Sequence, residues 1–232
     1  MSDQSCAEGV CRVEPVKNAG AAPELNQDTR VIYVGDPMCS WCYGVSPVVN
    51  DLQQYCTAHD ILFEIVVGGL RAGGGDQWNE GFIAFLRNEW GIIADKTGVE
   101  FNFGILDQDY FNYNTEQSCR AVVIARSLLP DDNNALLTAF FKGIQTKFYL
   151  YNEDPKEVSF YENLCAEAGI DFSAFKTCFE DREWKKRTIA EFRYRSQLGV
   201  NSFPSFLLVK GDKVTLLAAG YATLLELIQR IK

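Results

Sequence analysis

Val31-Ile32-Tyr33-Val34-Gly35-Asp36-Pro37-Met38-Cys39-Ser40-Trp41-Cys42-Tyr43-Gly44 is the stretch on which the reading of this chain turns. Its first residues form a continuous apolar, β-rich run, which predicts a buried strand over 31–35. Beyond the cysteines, Val45, Val49, Leu52 and Cys56 recur at steps of four, three and four, which predicts a helix over 40–57 with one apolar face. The order is strand, tight turn, Cys-x-x-Cys, helix. Cys39 then stands at a helix start, where unpaired backbone N–H groups and the helix dipole favour a thiolate. Cys42, three positions on, shares that face and lies within disulfide reach. This is the local chemistry of thiol–disulfide exchange. Asp36, three residues before Cys39, reads as a turn former before proline, and secondarily as a charge acting on that thiol.

Working outward, Ile61-Leu62-Phe63-Glu64-Ile65-Val66-Val67 is the second strand. A helical crossover between two strands implies a parallel β-α-β unit. Glu64 is the odd residue in that run, either an edge acid or a half-buried proton relay for a thiol. Gly68-Gly69-Leu70-Arg71-Ala72-Gly73-Gly74-Gly75 follows, without the Gly-Lys-Ser/Thr ending or the G-x-G-x-x-G spacing of a phosphate loop, so it reads as an exit from the sheet. Helical spacing then recurs near 77–95, 116–129, 133–150, 156–168, 171–180 and 182–198. β character returns in Phe203-Pro204-Ser205-Phe206-Leu207-Leu208-Val209, with a hairpin turn at Lys210–Lys213, a partner strand at 214–217, and a last helix from Tyr221 to Ile231. The expected organisation is a flexible tail over 1–29, a discontinuous α/β domain from 30–75 and 199–232, and a helical insertion over 76–198.

Composition bounds the function classes. With 232 residues and 47% apolar content the chain can bury a sizeable core. A net charge of −9 argues against a nucleic-acid partner, and no apolar span approaches twenty residues, so no membrane partner is expected. Met1-Ser2-Asp3-Gln4-Ser5 has neither a basic start nor an apolar h-region, which leads to the expectation of a cytoplasmic protein. In a reducing compartment eight cysteines are not a structural disulfide framework.

A lone Cys-x-x-Cys is also half a zinc site. Here it lies between strand and helix, no second pair has firm zinc spacing, and the only histidine, His59, falls at the far end of the same helix, so no metal is expected. Pro204, at the start of the third strand, sits where proline is tolerated, can hold a cis peptide and leaves backbone groups free for an extended substrate.

The chain resembles the DsbA-like thioredoxin-fold family, and most closely its cytosolic FrnE-type dithiol oxidoreductases. The resemblance is carried by Asp36-Pro37-Met38-Cys39-Ser40-Trp41-Cys42-Tyr43-Gly44, Gly68-Gly69-Leu70-Arg71, Asn114-Thr115 with Cys119-Arg120-Ala121, and Gly199-Val200 leading into Phe203-Pro204-Ser205-Phe206. It implies a thioredoxin fold (β-α-β … β-β-α) with a large helical insertion, and a thiol–disulfide oxidoreductase or isomerase. Cys39 would be the nucleophile and Cys42 the resolving thiol, with Phe203, Pro204 and Trp41 meeting the substrate. The expected partners are proteins carrying disulfides or thiols, with glutathione or a thioredoxin system as thiol partner and no bound cofactor.

Ser40-Trp41 places neither histidine nor proline between the thiols, unlike the Pro-His of strongly oxidising DsbA. The resemblance therefore implies a less oxidising pair, suited to reduction or isomerisation. Phe203 is bulkier than the Val or Thr often found before the family's proline. Cys56, Cys119, Cys165 and Cys178 lie in helical segments and read as small core residues. Cys6 and Cys11, close together in the tail, read as incidental thiols, as an accessory dithiol that exchanges with Cys39–Cys42 or closes as its own disulfide, or, more weakly, as capturing a metal together with that pair. Two rivals remain at this stage: a glutathione-dependent isomerase or transferase on the same scaffold, whose members generally carry Ser at the position of Cys39, and a non-catalytic adaptor that binds client proteins.

Overall fold

The structure is a computed structural model that describes residues 6–7, 10–12, 29–130 and 133–232. Its central sheet has four strands in the order β4 (Leu62–Val67), β3 (Arg30–Gly35), β6 (Ser205–Lys210), β7 (Lys213–Ala219). Strand β3 pairs in parallel with β4 and antiparallel with β6. Strand β7 closes the far edge as a hairpin with β6. Residues from both ends of the chain thus build one sheet, a mixed α/β thioredoxin-fold core with β-α-β and β-β-α halves.

Period-two alternation sends each strand's side chains to two different cores. Val31, Tyr33, Phe63, Ile65, Val67, Phe206 and Leu208 enter one apolar cluster. Ile32, Val34, Val66, Leu207 and Val209 enter another, on the opposite face. The first cluster is covered by α2 (Ser46–Ala58), α4 (Glu116–Leu128), α5 (Asn134–Tyr149), α6 (Glu162–Ala168), α7 (Phe172–Glu180) and α9 (Leu224–Ile231). The second holds the dithiol helix α1 (Ser40–Gly44) and residues from α3 (Glu80–Thr97) and α8 (Arg182–Gln197). A third cluster, rich in aromatics, fills the insertion: Trp90 lies 5.3 Å from Phe101 and 5.1 Å from Tyr149, centroid to centroid.

The helix expected over 40–57 is two helices. Val45 is the C-cap of α1 and the N-cap of α2. Pro47 explains the break, because its ring lacks an N–H and meets the carbonyl four residues back, which for a continuous helix is that of Tyr43. The strand expected through 203–209 is likewise divided at Pro204, into β5 (Ser202–Phe203) and β6, and the Phe203–Pro204 peptide is cis.

Within the stretch expected to be a tail, Cys6–Ala7 (β1) and Val10–Arg12 (β2) are strands. The rest of that stretch, apart from Thr29, lies outside the described residues. No helix among the described residues is long and apolar enough to cross a membrane.

Candidate active site

Cys39 is the N-cap of α1 and Cys42 lies in its first turn, so the strand–turn–helix geometry expected from the sequence is present. Both are free thiols and both are fully buried. They share one apolar cluster with Trp41, Leu70, Val200 and Phe203. Residues separated by more than 160 positions in sequence therefore meet at one place.

Buried polar groups fix the loop before Cys39. The Asp36 carboxylate accepts N–H bonds from Met38 (2.8 Å) and Leu70 (2.7 Å), and its own N–H points at the Cys42 sulfur, 3.5 Å away. The Met38 carbonyl accepts hydroxyl bonds from Tyr113 (2.8 Å) and Tyr149 (2.7 Å) of the insertion. Asp36 is thus a turn former, and its charge is also a lesser cause of the rise in the Cys39 thiol. The Asp36 carboxylate accepts a third bond from the Cys119 thiol at 3.4 Å. Burial raises the Asp36 pKa, opposed by the N–H and hydroxyl groups around it.

The thiolate-stabilising helix start expected for Cys39 is outweighed here. Burial pushes its thiol well above the ordinary range, and the adjoining Cys42 sulfur adds to the rise. The Cys42 backbone N–H acts in the opposite sense, as a helix start should, but more weakly. A five-residue helix has a small dipole, and desolvation of an anion in an apolar cluster is the larger effect.

The opposite wall is built by Phe203 and what surrounds it. A Cβ placed on Gly68 would run into the Phe203 ring, so the ring of this large residue lies directly on the glycine backbone. Gly69 has φ +69 and packs under the Phe192 ring, at 2.8 Å from the same hypothetical atom. The Gly-Gly pair, which from sequence reads as a loose exit, is a floor for two aromatic rings. Arg195 of α8 reaches in to donate to the Gly68 carbonyl (3.2 Å) and the Val200 carbonyl (2.9 Å), with its guanidinium 5.6 Å from the Phe203 ring centroid. Burial lowers its pKa to about 10.

Trp41 is turned inward, 2% exposed; its indole N–H points at Glu89 Oε2 (3.3 Å) and the Lys96 ammonium lies 5.6 Å from its ring centroid. Glu64 lies away from the pair: it faces Arg30 at 3.6 Å, with Arg126 and Glu191 as its other charged neighbours. His59 caps the far end of α2, its Nδ1 2.8 Å from the Tyr55 carbonyl. Cys56, Cys119 and Cys165 are buried, and Cys178 half-buried, in the cluster on the other face of the sheet. Cys11 occupies a strand position opposite Phe203, and Cys6 a position opposite Cys11.

Comparison with known proteins gives no matching family model and no matching curated protein. Solved structures do match. A candidate protein disulfide isomerase from Nitrosomonas europaea superposes with a TM-score of 0.74 at 29% identity, over 88% of this chain and 96% of that one. The chain has a DsbA-like thioredoxin fold. The cytosolic disulfide reductase DsbM of Pseudomonas aeruginosa shares this DsbA-like architecture, with a TM-score of 0.66 at 24% identity over 82% of this chain and 89% of that one. A glutathione complex of that reductase matches at 25% identity with a TM-score of 0.63. A 2-hydroxychromene-2-carboxylate isomerase matches at 14% identity with a TM-score of 0.55, over 80% of this chain and 87% of that one, a likeness of fold.

The residues that sequence reasoning missed are those arriving from the insertion: Cys119 and Arg195 beside the site, Glu89 behind Trp41, and the tyrosine pair on Met38. Asn114-Thr115 with Cys119 stands in the resemblance, which is the one signal that pointed at this region.

Proposed function

We propose that this protein is a thiol–disulfide oxidoreductase or isomerase acting on protein disulfides, with Cys39 as nucleophile and Cys42 as resolving thiol. The observation that carries the reading is the two free thiols on the first turn of α1, in one cluster with Phe203 and next to the strand edge at Ser202–Phe203. The Cys39 thiolate attacks one sulfur of a substrate disulfide, forming a mixed disulfide and releasing the other substrate sulfur as a thiolate. Cys42 then attacks the Cys39 sulfur, releasing the second substrate thiol and leaving the Cys39–Cys42 disulfide. Two electrons and two protons pass to the substrate. An isomerase cycle ends earlier, when a substrate thiolate attacks the mixed disulfide and regenerates Cys39.

Direction follows from the neighbours of Cys39. Ser40-Trp41 places no cation between the two cysteines in the sequence, and burial disfavours a thiolate at Cys39. This supports a pair that is less oxidising than DsbA, working as a reductase or isomerase in the cytoplasm, with glutathione or a thioredoxin system returning its electrons. The likeness to a cytosolic disulfide reductase solved with glutathione agrees with that assignment.

Insulin reduction and refolding of scrambled ribonuclease, run with wild type beside Cys39→Ser, test the reading. Activity in wild type and none in Cys39→Ser is expected. Full activity in the variant would assign the protein to the client-binding adaptors instead. A potential near that of DsbA, measured against glutathione ratios, would overturn the direction.

A further inference from the structure

The N-terminal strands pair with β5, whose Phe203 shares the cluster of Cys39 and Cys42. Strands β1 and β2 form an antiparallel hairpin with Cys6 opposite Cys11 and Ala7 opposite Val10. Strand β2 in turn pairs antiparallel with β5, setting Cys11 opposite Phe203 and Arg12 opposite Ser202.

Strand β5 belongs to the three-stranded sheet β1-β2-β5, not to the central sheet. It ends at Phe203, which is packed in the cluster of Cys39 and Cys42. An extended polypeptide presenting a disulfide to Cys39 would add to this edge by backbone pairing. In this protein β2 already holds the edge. Directly opposed residues of antiparallel strands have Cα atoms roughly 4.5–5.5 Å apart, and a disulfide spans about 4.4–6.8 Å between Cα atoms. The register of Cys6 and Cys11 is therefore one at which a disulfide closes across the hairpin.

We propose that the β1–β2 hairpin is the active pair's own substrate: a Cys6–Cys11 disulfide, held on the edge of β5, exchanges with Cys39 and Cys42. This rests on the thiol–disulfide reading of Cys39–Cys42. Cys39 thiolate attacks the Cys11 sulfur, the Cys6–Cys11 bond breaks, and Cys6 leaves as a thiolate. Cys42 attacks Cys39, releasing Cys11. The Cys39–Cys42 disulfide forms, the Cys6–Cys11 disulfide becomes two thiols, and two electrons and two protons move from one pair to the other. No outside oxidant or reductant enters the step, and it runs in reverse when Cys39–Cys42 is the oxidised pair. An outside polypeptide has to displace the hairpin to reach β5.

The test uses the full chain carrying Cys42→Ser and Cys56→Ala, oxidised with diamide, quenched in acid and digested with trypsin. The expected product is peptide 1–12 linked through Cys39 to peptide 31–71, in more than half the molecules. Being intramolecular, its yield should not change over about a tenfold dilution. Adding Cys39→Ser should abolish the link and leave Cys6 joined to Cys11. Insulin in excess should lower the yield by competing for β5. A linked product whose yield falls on dilution, or failure of Cys6 and Cys11 to join in the Cys39→Ser background, overturns the proposal. So does absence of the link while the same protein still forms a mixed disulfide with insulin, which leaves the proposed function standing. Absence of both products removes the proposed function as well.

Discussion

Two groups of buried thiols lie on opposite faces of one sheet. On one face Cys39 and Cys42 share a cluster with Phe203; on the other Cys56, Cys119 and Cys165 are scattered through the larger core. Burial acts on Cys39 and on the thiols of the other face alike. It pushes Cys56 up to about 11, Cys165 up to about 12, and Cys39 well above its ordinary value. Sealing a thiol from water does not distinguish a reactive cysteine from a structural one. The neighbours do: unlike Cys56 and Cys165, Cys39 shares its cluster with a second thiol, Cys42, and with Phe203 at a strand edge, and it has a helix-start N–H beside it.

The sharpest way to break this contrast is to substitute one thiol from each face. Cys39→Ser should lower insulin reduction by at least about a hundredfold, because the nucleophile is lost outright. Cys56→Ala and Cys165→Ala should leave that rate within about twofold of wild type and cost roughly 1–2 kcal/mol of stability through the space left behind, read from urea midpoints. If Cys56→Ala loses activity while its unfolding curve is unchanged, the division between the two faces is wrong.

The next effect concerns what packs against the active thiols. Gly68→Ala drives a methyl group into the Phe203 ring, and overpacking of this kind costs about 1–3 kcal/mol. Phe203→Leu alone should cost less, and the double variant should recover part of the Gly68→Ala loss. A coupling of about 1 kcal/mol in the resulting cycle identifies the contact. Strictly additive losses would show that the ring does not rest on Gly68.

Much of this was legible in the sequence, for reasons that also explain what was not. Val31–Gly35, the dithiol turn and Ile61–Val67 carry dense local signals, so the β-α-β half and its thiols could be placed from residue types alone. The helix break at Val45 needed Pro47 to be weighted above an unbroken apolar stripe. The walls of the site were hidden because their contacts are distant: Trp41 to Glu89 spans 48 positions, Asp36 to Cys119 spans 83, Met38 to Tyr149 spans 111, and Gly68 to Arg195 spans 127. No local periodicity reports such pairings. The N-terminal hairpin was hidden differently, since strands of two and three residues have no measurable alternation. Its one trace is symmetry, with Cys6 and Cys11 equidistant from Glu8-Gly9.

The smallest expected effect tests the carboxylate that touches both groups of thiols. Asp36 faces Cys42 through its N–H and Cys119 through Oδ2, and its charge is among the lesser causes raising the Cys39 thiol. Asp36→Asn removes that charge, so the pH at which Cys39 is half-alkylated by iodoacetamide should move toward acid by less than about one unit. Stability should respond in a way that checks the same group independently. The folded-state pKa of Asp36 is raised, so the native protein keeps this proton at pH values where the unfolded chain, with an ordinary value of about 3.9, has released it. The associated stability is therefore complete below that ordinary value and is lost as pH rises through the folded one. Asparagine carries no such dependence. One amide oxygen cannot serve both the Met38 and Leu70 N–H groups, so the variant is expected to be less stable by about 1–3 kcal/mol at low pH. That gap should narrow as pH rises from the unfolded value through the folded one, whatever its starting size. A gap that widens over this interval, measured by thermal unfolding of the two proteins side by side, would mean that Asp36 is held as a stabilised anion rather than a desolvated acid.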